Sequence, residues 1–209
     1  MASSVLMLVV GGTLRRIRWL RRAGARVEPL DHDIDLPGRF PPRALAVIGD
    51  SAAAGHGLPT ADDALARLTG RLLVERDGRA TQVRCRALDG ATTAMVVADQ
   101  TPSVAGAEVV LIGVGVNDAL DPRCSVASAA AALDDLIVSV RRTARADVRV
   151  VLMSCPDLGR APGLPWGVRP WVGRRCRRLA RAQAIVAARR HVLLLPISGA
   201  DLAQDLFGP

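Results

Sequence analysis

Residues 44–55 read Ala-Leu-Ala-Val-Ile-Gly-Asp-Ser-Ala-Ala-Ala-Gly. A short apolar run leads into Gly49-Asp50-Ser51, and Gly55 follows four residues later. This order predicts a buried strand that ends in a tight turn with a hydroxyl at its exit, an arrangement that exposes serine as a nucleophile. A second apolar run ends in Gly113-Val114-Gly115-Val116-Asn117-Asp118, and a third segment closes on Asp89-Gly90-Ala91. Attack of a hydroxyl on an ester also needs donors aimed at the oxyanion that forms. The candidate set is the Ser51 hydroxyl as nucleophile, with the Ser51 N–H, the Gly90 N–H and the Asn117 side-chain amide as donors. Glycine at 90 is expected to let the backbone approach closely.

The elements that would carry these groups can be read from periodicity. Strand candidates are 44–48, 82–88, 107–113, 148–154 and 191–197, and helix candidates are 60–77, 92–99, 125–146 and 168–190. The strands are nearly continuous in Val, Ile and Leu, as strands covered on both faces are. Their alternation with helices predicts an α/β fold, a three-layer α/β/α sandwich on a parallel sheet of about five strands. In such a sheet, sites gather beyond the carboxyl ends of the strands, which is where Ser51, Gly90 and Asn117 fall. The helix at 125–146 shows the pattern best. Ser125 is its expected N-cap, and Leu133, Leu136, Ile137 and Val140 form one apolar stripe.

Composition bounds the rest. The chain has 209 residues, a formal charge of +8, no lysine, no tyrosine and 2% aromatic residues. It is long enough for one domain with a full core. Residues 1–27 read as an arginine-rich extension, with apolar residues 5–10 followed by six arginines in 14–26. The apolar run is far short of the ~20 residues that span a bilayer. It reads as an interfacial anchor on an anionic membrane, an exposed, partly helical tail, or a poorly ordered extension. Residues 28–43 are proline-rich and aperiodic, and read as a surface linker to a domain over 44–209. Cys85, Cys124, Cys155 and Cys176 lack zinc-ligand or redox-pair spacing and read as small apolar residues in a reducing, cytoplasmic setting, with Cys85 and Cys155 buried.

Three blocks together resemble the SGNH, or GDSL-type, hydrolases. Gly49-Asp50-Ser51 with Gly55 is similar to the family's first block. Gly90, in Leu88-Asp89-Gly90-Ala91-Thr92-Thr93, is similar to its second-block glycine, and Gly115-Val116-Asn117-Asp118 to its third block. Cys155-Pro156-Asp157-Leu158-Gly159 resembles the loop after the fourth strand in bacterial members. The resemblance covers residues 44 to 209 and implies a flavodoxin-like sandwich and a serine esterase or lipase-like acyl hydrolase. It implies Ser51 as nucleophile, with Gly90 and Asn117 completing the oxyanion hole and no cofactor or metal. Asp50 and Asp118 would then brace loops.

The family's fourth block, Asp-x-x-His, supplies the general base and its orienting acid. This sequence reaches Asp205-Leu206-Phe207-Gly208-Pro209 without it, so the expectation is a truncated hydrolase with weak or no turnover. Of the three histidines, His56 lies five residues after Ser51 in a tight turn, and His191 opens a strand at its amino end. His32 stands among Asp31, Asp33 and Asp35 in the linker, which reads as a solvated loop and not a metal cluster. Residues 169–190 carry eight arginines, with Leu179, Ala182, Ile185 and Val186 as the expected apolar face. Trp166 and Trp171 flank a loop, 159–170, expected to cover the pocket. The expected partner is a small-molecule or lipid ester. An anionic membrane surface on the two arginine segments is a further partner. Nucleic acid is not expected, because stacking aromatics are nearly absent. The rival reading is a non-catalytic remnant that binds acyl esters or anionic membranes.

Overall fold

The computed structural model describes residues 33–55, 64–161 and 164–197. In chain order the elements are β1 (Asp33–Leu36), β2 (Arg39–Gly49), α1 (Leu65–Asp77), β3 (Arg79–Cys85), α2 (Thr93–Met95), β4 (Val109–Gly113), α3 (Val116–Leu120), α4 (Val126–Thr143), β5 (Arg149–Met153), α5 (Arg169–Arg189) and β6 (Leu193–Leu195). A π-helical stretch, Val96–Gln100, and a 3-10 turn, Thr101–Val104, continue α2.

The sheet has six strands in the order β1-β3-β2-β4-β5-β6. The five strands β3, β2, β4, β5 and β6 are parallel, as expected, and β1 joins β3 antiparallel at the edge. β1 and the start of β2 correct the reading of residues 28–43 as a linker over their described part. Ile34 and Leu36 alternate with aspartates on β1, and Ile34 is buried. The prolines that suggested a linker, Pro41 and Pro42, lie where the β2–β3 register shifts between Arg39 and Arg43, so they withhold no ladder donor. Residues 1–32 and His56 lie outside the described residues.

The layering follows from which residues are apolar. Leu45, Val47, Val83, Cys85 and Leu111 point to one face, where they pack with Ala66 of α1. Ala46, Ile48, Val110, Ile112, Val150 and Leu152 point to the other, under Leu133, Leu136, Ile137 and Val140 of α4 and Val186 of α5. β2 and β4 are therefore apolar on both sides. β3 alternates, with Gln82 and Arg84 exposed, because among the described residues helix covers one of its faces. Truncating Leu136 to alanine would cost about 2–5 kcal/mol through lost burial and the cavity left behind.

The helix ends follow their sequences. The Ser125 hydroxyl accepts the Ser128 N–H at 2.9 Å, which confirms the N-cap. Helix α5 buries Val172, Cys176, Leu179, Gln183 and Val186. Ile185 is 68% exposed, which corrects its place on the expected apolar face: the stripe runs one residue away, through Gln183 and Val186. Cys85, Cys155 and Cys176 are buried and Cys124 is partly exposed, all four as free thiols.

Among the described residues, the same sheet face is less covered beyond α1. Val109, Leu111, Val151, Leu193 and Leu195 line a groove of about 910 Å³ there. His191, Arg43, Arg79, Glu108 and Arg149 also line it, at the amino ends of the strands. No described helix is long and apolar enough to cross a membrane.

Candidate active site

Ser51 leaves the carboxyl end of β2, at the centre of the sheet, in a turn over residues 51–55. Gly90 follows neighbouring β3, and Asn117 follows β4 on the other side. All three expected residues thus stand on one edge of the sheet, and hydrogen bonds hold their loops together. The Asp50 N–H donates to the Gly113 carbonyl at 2.8 Å, which joins the first loop to the end of β4. The Leu88 N–H donates to the Gly49 carbonyl at 3.0 Å, which joins the second loop to the first. Asn117 Nδ2 donates to the Ala91 carbonyl at 2.9 Å, which joins the third loop to the second. A carboxamide carries two N–H donors, so this bond leaves Asn117 one more.

The two aspartates act within this frame. Asp50 is buried, and its Oδ1 accepts the Ala52 N–H at 3.0 Å, shaping the turn that carries Ser51. Asp118 is 4% exposed, and its carboxylate accepts the Thr93 N–H at 3.1 Å and the Thr93 hydroxyl at 2.8 Å. Asp50 Oδ1 and the Asp118 carboxylate thus accept donors from the loops that carry Ser51 and Thr93.

Gly90 has φ +80°, but a Cβ there would meet nothing within 4 Å. Its left-handed conformation alone favours glycine, because that conformation costs an L side chain ~1–2 kcal/mol. Gly49 is the crowded position: with φ +147°, its Cβ would stand 2.0 Å from the Gly113 carbonyl oxygen.

The far side of the edge is built by α5. Arg175 donates to the carbonyls of Ala119 at 2.7 Å and Asp121 at 2.8 Å, and its guanidinium lies 5.0 Å from the Trp171 ring centroid. It satisfies carbonyls that the short α3 leaves open. Asp157 receives Arg177 at 2.7 Å and the Gly159 N–H at 2.9 Å. Trp166 is 83% exposed, with Arg169 stacked 5.2 Å from its ring centroid.

His191 precedes β6, at the amino edge of the sheet and opposite Ser51, as its sequence position implied. No cluster of three His, Cys, Asp or Glu residues among the described residues is placed to hold a metal ion. Asp33 and Asp35 lie exposed on β1, with Asp33 bonded to Arg86 at 3.0 Å. Sequence reasoning missed Thr93 as the partner of Asp118, and it missed two buried glutamines, Gln100 and Gln183. A polar residue at a stripe position of α5, four after Leu179 and three before Val186, was the available signal for Gln183.

The profile of the GDSL-like lipase/acylhydrolase family matches residues 47–209. The chain belongs to that family. This GDSL-like chain is 33% identical over 147 residues to the GDSL-like esterase Rv1075c of Mycobacterium tuberculosis, a stretch covering 66% of this chain and 44% of that protein. It spans less than half the length of that relative. Its fold resembles the extracellular lipase of Streptomyces rimosus, with a TM-score of 0.59 and 19% identity over 79% of this chain and 85% of that one. It also resembles the SGNH-hydrolase family esterase AlinE4, with a TM-score of 0.61 and 20% identity over 79% and 82%. A lipase/acylhydrolase from Enterococcus faecalis gives a TM-score of 0.59 at 22% identity over 79% and 86%. These likenesses establish the three-layer SGNH-hydrolase fold for the GDSL-like domain.

Proposed function

We propose that this chain is a carboxylic ester hydrolase that uses Ser51 as its nucleophile. The Ser51 oxygen attacks the ester carbonyl. The resulting oxyanion rests on the Ser51 N–H, the Gly90 N–H and the Asn117 side-chain amide, and water then releases the acid. The observation that carries this reading is the tethering of three loops at one sheet edge, with Asn117 bonded to Ala91 and Gly49 to Leu88. The substrate is a small-molecule or lipid ester. The arginines of residues 1–27 and of α5 would suit an anionic membrane surface.

A second reading is a protein that binds acyl esters without turning them over. It is favoured by the position of His191, the single histidine among the described residues, at the opposite sheet edge. If Ser51-dependent turnover is found, His56 is the first histidine to replace.

Hydrolysis of a short-chain activated ester by the purified chain, beside Ser51→Ala, separates the readings. Turnover lost in Ser51→Ala supports the hydrolase. Equal background rates in two folded proteins support the binding reading.

A further inference from the structure

Two buried glutamines occupy the ends of the central strands. Gln100 is 2% exposed and Gln183 is 1% exposed. The Gly49 N–H donates to Gln100 Oε1 at 2.7 Å, and Gln100 Nε2 donates to the Gly49 carbonyl at 2.9 Å. The carboxamide therefore grips both polar groups of the residue two before Ser51. The Cys155 N–H donates to Gln183 Oε1 at 2.7 Å, and Gln183 Nε2 donates to the Val114 carbonyl at 2.9 Å. This second carboxamide bridges two strand ends, three residues before Asn117.

The positions are those where the ladders stop. The β2–β4 and β4–β5 pairings both end at Gly113, opposite Gly49 and Met153. Beyond that row the Asp50 N–H still reaches the Gly113 carbonyl at 2.8 Å, while the buried Val114 carbonyl and the Cys155 N–H pair with Gln183. A buried peptide group left unpaired is costly, so something must replace the missing rung. A glutamine side chain is a peptide group on a tether, with one acceptor and a donor pair. Gln183 inserts as the next rung between β4 and β5. Its Nε2 would lie 2.8 Å from a Cβ at Gly115, so glycine there gives it room. Gln100 reaches Gly49 from the last residue of the π-helical stretch, where the Thr101 hydroxyl donates to the Val97 carbonyl at 2.8 Å. Extra-residue π turns commonly re-aim a side chain near a functional site.

We propose that Gln100 and Gln183 are positioning residues that lock the backbone beneath Ser51 and Asn117, so that the oxyanion donors keep their mutual geometry. The proposal rests on the acyl-hydrolase reading of those residues. Neither glutamine touches the reacting atoms. Each acts by fixing a peptide plane, and a misplacement of about 1 Å at such a site costs on the order of 100-fold in rate.

The test uses the full chain with Gln100→Met and Gln183→Met, which keep volume and remove the carboxamide. Gln100→Glu and Gln183→Glu retain an acceptor. Amide hydrogen exchange is followed by NMR, with p-nitrophenyl acetate turnover measured beside Ser51→Ala. The Gly49 amide in Gln100→Met and the Cys155 amide in Gln183→Met should exchange at least about tenfold faster than in wild type, while Leu136 and Ile137 of α4 keep their protection. kcat should fall about 10- to 100-fold with KM nearly unchanged. The deficit of Gln183→Glu against wild type should shrink as pH falls from about 8 to about 5, because the neutral acid regains a donor for Val114. If a Met variant does not fold, Gln100→Leu or Gln183→Leu, which also removes the acceptor, carries the exchange comparison, and the Glu variant, which loses only the donor, carries the kcat comparison. Unchanged exchange at both amides overturns the clamps, and unchanged kcat in folded variants overturns their positioning role. Absence of Ser51-dependent turnover in wild type overturns the acyl-hydrolase reading and with it the catalytic consequence, while exchange still decides the clamps.

Discussion

The Asp118 carboxylate receives both the backbone N–H of Thr93, at 3.1 Å, and its hydroxyl, at 2.8 Å. One buried anion thus ties the start of α2, just past Gly90, to α3, which carries Asn117. Asp118→Ala leaves two buried donors without that acceptor and should lower stability by about 2–3 kcal/mol. Asp118→Asn keeps an acceptor and should lose roughly half as much. Urea unfolding of the three proteins checks the order, and equal midpoints for wild type and the alanine variant would refute the brace.

Asn117 bonds Ala91 through one amide hydrogen and is assigned a second duty at the oxyanion. Asn117→Ala should therefore reduce kcat by about 10²–10³, far more than the ~1 kcal/mol of stability that one neutral hydrogen bond supplies. Steady-state kinetics beside thermal unfolding separates the two. A kcat loss no larger than the stability loss implies would remove Asn117 from the oxyanion hole.

The two glycines at the site should respond to alanine differently. At Gly90 the added methyl meets open space, so the cost is the left-handed backbone alone, ~1–2 kcal/mol. At Gly49 it would meet the Gly113 carbonyl at 2.0 Å, where β2 and β4 are still paired. Gly49→Ala should lose upwards of ~3 kcal/mol or fail to accumulate folded. Circular dichroism melts of both variants test the ranking.

Asp134 of α4 is hydrogen-bonded by Arg190, and by Arg189 at 2.7 Å, and these guanidiniums hold its carboxyl far below the usual carboxylate range. The folded value lies below the unfolded value of about 3.9. The stabilisation is therefore complete above about pH 4 and is lost as pH falls further and the carboxylate is protonated. Asp134→Asn should be less stable than wild type by a constant margin between about pH 7 and pH 5, and the margin should close below about pH 4. Denaturation midpoints across that range test this, and a margin that persists at low pH would show that the pair contributes by packing instead.

Periodicity and spacing alone were enough to read much of this protein. The apolar runs around Leu45–Ile48, Val109–Ile112 and Val150–Leu152 announce strands buried on both faces, and the stripe Leu133, Leu136, Ile137, Val140 announces α4. That Ser51, Gly90 and Asn117 would share one sheet edge was legible because each follows an expected strand, and parallel strands deliver their carboxyl ends to one edge. Those signals are local, and local periodicity is what burial on a regular element writes into a sequence. Other features depend on which strand ends meet in space. β1 was hidden because its prolines and aspartates look like a linker until β3 is there to pair with it. The stripe of α5 passes through the polar Gln183, while the apolar Ile185 lies exposed one turn from both Arg181 and Arg189, so residue type alone points to the wrong position. The pairing of Asp118 with Thr93, and the rungs made by Gln100 and Gln183, join residues 25 to 69 positions apart. A buried polar side chain takes its meaning from the one unpaired peptide group it reaches, and only the folded chain brings that group within 3 Å.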